Sequence, residues 1–188
     1  MRQLIVTGFM STDGVMQGPG GDEGWRNDGW TFKAVDFDPS AYEIKGREQG
    51  EATALLLGRR SYELFAPVWP GMVDDFAGYN AMPRYVVSRT LETDDDRWPA
   101  TVLRSLDDVR ALKETEGGPI LVQGSAELGA ALADADLVDR YHLLVFPVLL
   151  GAGKRFFSTA DRDWVRLSLV EHAVYPNGVQ KQVFDVIR

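Results

Sequence analysis

Three short segments place glycine, hydroxyl and guanidinium groups directly after apolar, strand-like runs. The first is Leu55-Leu56-Leu57-Gly58-Arg59-Arg60-Ser61-Tyr62-Glu63. Gly58 lets a ligand approach the backbone, a helix opening at Arg59 or Arg60 offers free N–H groups and a positive dipole end, and two guanidinium groups add charge. A phosphate suits all three, although a glycine turn with solvated arginines suits these residues equally well. The second segment, Tyr85-Val86-Val87-Ser88-Arg89-Thr90, sets a guanidinium between hydroxyls, either to hold a second phosphate such as a nucleotide 2′-phosphate or to form a polar turn. In the third, Ile120-Leu121-Val122-Gln123-Gly124-Ser125-Ala126-Glu127-Leu128, Gly124 and Ser125 open a helix. Ser125 there caps the helix, a role compatible with meeting a pyrophosphate, and Glu127 in the first turn repels a phosphate placed too near.

Other chemistries fail on composition or spacing. The 188 residues include no cysteine, which removes disulfide scaffolds, thiolate zinc sites, thiol nucleophiles and iron–sulfur clusters. Twenty Lys and Arg against 28 Asp and Glu leave a net charge of −8, which opposes a nucleic-acid partner. The two histidines, His142 and His172, are too far apart for a paired metal helix, no metal site is expected, and His142 inside an apolar strand reads as structural. Gly151-Ala152-Gly153-Lys154-Arg155 lacks the third glycine of a dinucleotide fingerprint and the Ser or Thr of a P-loop, and Ser125 directly after Gly124 breaks the spacing of a nucleophile elbow. The run Asp94-Asp95-Asp96 reads as a solvated turn rather than a cation site.

The elements that must carry these junctions alternate strand and helix, the pattern of a sheet covered by helices. Strands are expected at 4–9, 53–57, 84–88, 101–103, 119–123 and about 140–147, with a terminal hairpin of 164–171 and 179–187 around Pro176-Asn177-Gly178. Helices are expected from Pro39 to about Gly50, from Arg59 or Arg60 to before Pro67, from Ser105 or Leu106 to Gly117-Gly118, and over 125–133. The glycine-rich stretch Ser11 to Gly29 reads as a functional loop. The expected architecture is α/β, a mostly parallel sheet with an antiparallel edge, in one domain over residues 1–188. The N-terminus carries no export signal, and no apolar stretch is long enough to span a bilayer, so a cytoplasmic location without membrane association is expected.

In order and spacing these segments resemble the dihydrofolate reductase fold, and more closely the reductase family typified by the C-terminal domain of the bacterial riboflavin-biosynthesis deaminase/reductase. The resemblance rests on Ser11-Thr12-Asp13-Gly14, Leu57 to Glu63, Tyr85 to Leu91, Val122-Gln123-Gly124-Ser125, and Leu137-Val138-Asp139 leading to Phe146 through Gly153. It implies a three-layer fold and NADPH as cofactor. Gly58, Arg59 and Ser61 would then meet the cofactor phosphates, Ser88 and Arg89 the adenosine 2′-phosphate, and Gly124 with Ser125 the pyrophosphate. The loop with Gly14 and Trp25 takes the place of the family's lid, where Trp25 and Trp30 either stack on a planar ring or anchor the loop. Asp13 matches the loop acid, and Glu43 is the nearest match to the carboxylate that serves proton delivery.

The resemblance further implies a pyrimidine- or pteridine-like heterocycle as substrate and a homodimer, with apolar strand ends such as 179–187 pairing subunits. Two departures matter. Gln123-Gly124-Ser125 stands where the riboflavin-pathway reductases show Glu-Gly-Gly, so Gln123 alters the substrate side. The deaminase half, with its His-x-Glu and zinc cysteines, is missing. The alternative is a ligand-binding protein on the same fold without turnover.

Overall fold

The structure is a computed structural model that describes all residues except 22, 23, 93–95, 97 and 162, so Asp94 and Asp95 of the acidic run lie outside the described residues. Its strands are β1 (Leu4–Ser11), β2 (Ala54–Gly58), β3 (Arg84–Val87), β4 (Thr101–Leu103), β5 (Ile120–Gln123), β6 (Arg140–Phe146), β7 (Arg166–Val174) and β8 (Gln180–Ile187). They form one sheet in the order β4-β3-β2-β5-β1-β6-β8-β7. The first six are mutually parallel, and β8 runs antiparallel to both β6 and β7. The helices are α1 (Trp30–Lys33), α2 (Glu43–Glu51), α3 (Arg59–Phe65), α4 (Ala77–Ala81), α5 (Leu106–Glu114) and α6 (Ala126–Asp134).

Side chains along each strand alternate between two packed layers. Leu4, Val6, Leu56 and Val122 meet Val109, Leu112, Leu128 and Leu132 of α5 and α6 on one face. On the other, Ile5, Leu55, Leu57 and Leu121 meet Tyr62 of α3 and Tyr79 of α4, while Leu144 and Phe146 meet Ile44 of α2. Both faces of β2 are covered, which is why its sequence is an unbroken apolar run. Each of Leu55, Leu56 and Leu57 is fully buried and contributes about 1.5–3 kcal/mol of transfer free energy.

Local signals set most of the helix boundaries. Asp38 accepts the Ser40 N–H and starts a 3₁₀ turn over Pro39–Tyr42 that leads into α2. Ser105 and Asp108 cap α5 reciprocally, each side chain accepting the other's backbone N–H. The short helices α1 and α4 were not expected, because four or five residues give no periodic window to read. Among the described residues no helix is long and apolar enough to cross a membrane.

One expectation needs correction. Residues 179–187 do not offer a free edge for pairing subunits, since β8 is bonded on both sides and Val179 and Val183 are buried. The hairpin returns outward, so β7 is the open edge, with Leu167, Leu169, Val170 and Val174 exposed.

Candidate active site

The carboxyl ends of β2 and β5 bring the first and third junctions together. Gly58 N–H donates to Ser125 Oγ at 2.9 Å. A Cβ on Gly58 would lie 3.5 Å from the Ser125 Cβ, and one on Gly124 would lie 3.6 Å from Ser61 Oγ. Gly58, Ser61, Gly124 and Ser125 therefore pack together at the opening of the nine-residue α6.

Ser125 does not cap α6. Its backbone is left-handed (φ 62°, ψ 56°), which turns its hydroxyl back toward β2 and leaves the helix without a side-chain cap. A non-glycine residue in that region stores local strain, and the first turn of α6 keeps its N–H groups without a side-chain cap. Glu127 is less of an obstacle than its charge suggests. Lys154 Nζ donates to its Oε1 at 2.5 Å, and this bond, with Arg60 adding a smaller attraction, holds the carboxyl below the usual range.

The second junction joins the same edge through Arg59, whose Nη1 donates to Thr90 Oγ1 at 2.9 Å while its Nε pairs with Glu63 at 2.7 Å. Ser88 is buried, and its Oγ accepts from Leu91 N at 3.0 Å and more distantly from Thr90 N, so its acceptor capacity is spent shaping the turn. Arg89 is exposed beside it. Arg104, which sequence reasoning missed, clamps this turn from the end of β4 by donating to the Ser88 and Leu91 carbonyls at 3.1 and 2.9 Å. Nothing local marks that role, since the contact spans sixteen residues.

Asp13 is held as an acceptor. Ser11 Oγ donates to its Oδ1 at 2.6 Å, and the Leu150 and Gly151 N–H groups donate to its two oxygens at 3.2 and 2.7 Å. The Ser11 bond first, with those amides, keeps the carboxyl below its ordinary range, which suits a tie between the ends of β1 and β6 rather than a proton donor.

The two loop tryptophans are placed as anchors. Trp30 is buried, donates Nε1–H to Gln17 O at 2.7 Å and meets Phe146 edge-on, while Trp25 packs near Gly153. Gly14 takes a positive φ of 85° where the loop leaves β1. At Gly153 (φ 136°) a Cβ would stand 2.7 Å from Val15 Cγ1 and 3.1 Å from Trp25 Cζ2. Gly153→Ala is expected to cost about 1–3 kcal/mol, read as a lower thermal midpoint, and an unchanged midpoint would refute this packing.

Of the carboxylates on α2, Glu43 is exposed in the first turn, whereas Glu48 is 2% exposed and points at the sheet. Glu48 Oε1 accepts from Thr7 Oγ1 at 2.6 Å and lies 2.9 Å from His142 Nδ1. Its Oε2 accepts from Lys45 Nζ at 3.1 Å and from the Tyr79 hydroxyl at 3.4 Å. Burial alone raises the Glu48 pKa, but Lys45, His142 and Thr7 outweigh it and hold the carboxyl below the ordinary range. Polar residues inside two apolar strands, Thr7 in β1 and His142 in β6, were the available signal, because the register places them side by side. On the other side of Thr7 lies Gln123, whose Oε1 is sealed from solvent with no hydrogen-bond partner among the described residues.

Comparison with known proteins places this geometry. The model of the RibD C-terminal domain family matches residues 2–181. YyaP of Bacillus subtilis strain 168, itself uncharacterised, is 25% identical over 97% of this chain and 94% of its own length. Among solved structures, a putative riboflavin biosynthesis protein from Shewanella sp. PV-4 is similar with a TM-score of 0.78 at 18% identity, covering 99% of both chains. A pyrimidine reductase-like protein from Corynebacterium diphtheriae gives 0.64 at 15% identity, over 100% of this chain and 92% of that one. Dihydrofolate reductase from Enterococcus faecalis, solved with NADP(H), gives 0.60 at 14% identity, over 99% and 97%. At these identities the structures establish the dihydrofolate reductase-like fold.

Proposed function

The chain belongs to the RibD C-terminal domain family, whose members are reductase-type domains, and from that membership we propose that it is an NADPH-dependent reductase of a pyrimidine- or pteridine-like heterocycle, acting in the cytoplasm. The observation that carries the proposal is the meeting of Gly58, Ser61, Gly124 and Ser125 around the uncapped start of α6, with Arg59 reaching from the start of α3 to the turn that carries Arg89. That cradle fits a dinucleotide. Gly58 and Gly124 bring backbone to the strand ends, the start of α6 has no side-chain cap, and the guanidinium groups favour an added 2′-phosphate.

NADPH, when bound, supplies a hydride. The chain's own part is to hold the phosphates at the strand ends and to shield the reacting ring from water with the segment after β1 that carries Gly14 and Trp25. Gln123, the last residue of β5, carries a buried amide oxygen without a protein partner among the described residues, which supports its assignment to the substrate side.

Titration of the protein with NADPH, followed by nicotinamide fluorescence, tests this reading. Saturable binding is expected, and Gly124→Val should weaken it about tenfold, because a β-branched residue resists the left-handed backbone (φ 61°) that opens the cradle. Absence of binding by the wild type sinks the proposal. A ligand-binding protein without turnover remains the second reading, favoured by the tied carboxylate of Asp13 and the outward one of Glu43; tight NADPH binding with no oxidation across pterins, flavins and aminouracils would select it. We further propose that copies pair through the exposed apolar residues of β7, and a monomeric mass in light scattering would count against this.

A further inference from the structure

The hydrogen-bonded group under the crevice contains a lysine that cofactor binding does not use. Lys45 Nζ donates to Thr7 Oγ1 at 2.5 Å as well as to Glu48, and stands 5.2 Å from the centre of the Phe9 ring. Its side chain is 13% exposed, against 1% for Glu48 and 5% for His142, so among these three the lysine reaches furthest toward solvent. The strand register gives its depth. Thr7 lies opposite Gln123, the last residue of β5, and beyond that point Gly8–Ser11 pair with β6 alone. The ammonium therefore sits level with the carboxyl end of β5, one strand away from the unpartnered amide oxygen of Gln123.

Building on the reductase reading, we propose that Lys45 is the proton donor to the acceptor heterocycle, with Glu48 as its positioning residue. Reduction of a C=N or C=O bond needs one hydride and one proton. As the hydride reaches carbon, the π pair moves onto the nitrogen or oxygen, and that atom takes a proton from Lys45 Nζ. The broken N–H bond leaves a neutral amine, and water returns the proton. Thr7 and Glu48 fix Nζ, while His142 and Tyr79 occupy the remaining acceptor positions of Glu48 and keep its carboxylate from turning away. Asp13, tied by three donors, and Glu43, facing solvent, have no such placement.

The test begins with the unmodified protein. Lysines are acetylated with acetic anhydride with and without saturating NADPH, and each site is quantified by mass spectrometry. Lys181 is the internal control, since it is 16% exposed and paired with Glu171 on β7, away from the crevice. A several-fold fall in labelling at Lys45, with none at Lys181, is expected. Equal labelling at Lys45 with NADPH demonstrably bound overturns the proposal and leaves the reductase reading standing. Failure of NADPH to bind overturns both. For any heterocycle that consumes NADPH, Lys45→Met should lower kcat by about 10²–10⁴-fold with NADPH affinity unchanged, and an unchanged kcat overturns the assignment.

Discussion

Glu48→Leu is expected to destabilise the protein by about 3–5 kcal/mol, the range seen when one partner of a buried ion pair is removed and the other is left behind. The substitution strips an acceptor from four groups at once: the Lys45 ammonium, the Thr7 hydroxyl, the His142 ring and the Tyr79 hydroxyl, of which Thr7, His142 and Tyr79 are almost wholly buried. Against a total stability of about 5–15 kcal/mol, such a loss leaves a chain close to unfolding. Glu48→Gln keeps the shape and part of the hydrogen bonding, so it should lose less. The carboxyl is held below its ordinary range in the folded state. Its contribution is therefore present above the range of an unfolded glutamate and fades as pH falls through the folded value. Urea unfolding of wild type and Glu48→Gln at neutral pH and below about pH 4 should show the gap narrowing on acidification, and a gap that widens would mean the folded carboxyl is not depressed.

Arg89→Ala is expected to weaken NADPH by about tenfold to a hundredfold while leaving NADH nearly unaffected, because a charge-assisted bond to a phosphate is worth about 1.5–3 kcal/mol and only NADPH carries the 2′-phosphate. Arg89 is exposed at the end of β3 on a turn shaped by Ser88, held from one side by Arg104 and reached from the other by Arg59 through Thr90. The chain's overall charge of −8 makes such a local cationic edge the decisive feature for a phosphate rather than a general attraction. Paired titrations of wild type and variant with both dinucleotides decide the matter. Equal losses for the two would place Arg89 away from the 2′-phosphate.

Residue order alone carried the parts of this protein that depend on neighbours in sequence. Buried runs such as Ala54–Leu57 mark strands covered on two faces, Ser105 with Asp108 marks a helix start, and glycines followed by hydroxyl or guanidinium groups mark strand ends. Those signals act over a few residues, so they survive without knowledge of strand order. Spacing pointed to Glu43 and passed over Glu48, because it does not say which carboxylate of α2 faces β1 and β6; that depends on how the helix is rolled on the sheet, with Ile44 and Glu48 packed inward. The same limit hid Arg104, and it hid that the Ser125 hydroxyl accepts from Gly58, sixty-seven residues earlier, instead of capping its own helix. Insertion of β5 between β2 and β1 is what sets Gly58 beside Ser125 and Gln123 beside Thr7, and it comes from pairing between segments far apart in the chain. Composition and local pattern thus determined the strands, the longer helices and the kinds of group at their ends. Tertiary structure decided which of those groups meet, because only long-range strand pairing and helix packing can bring one side chain's oxygen to another's proton.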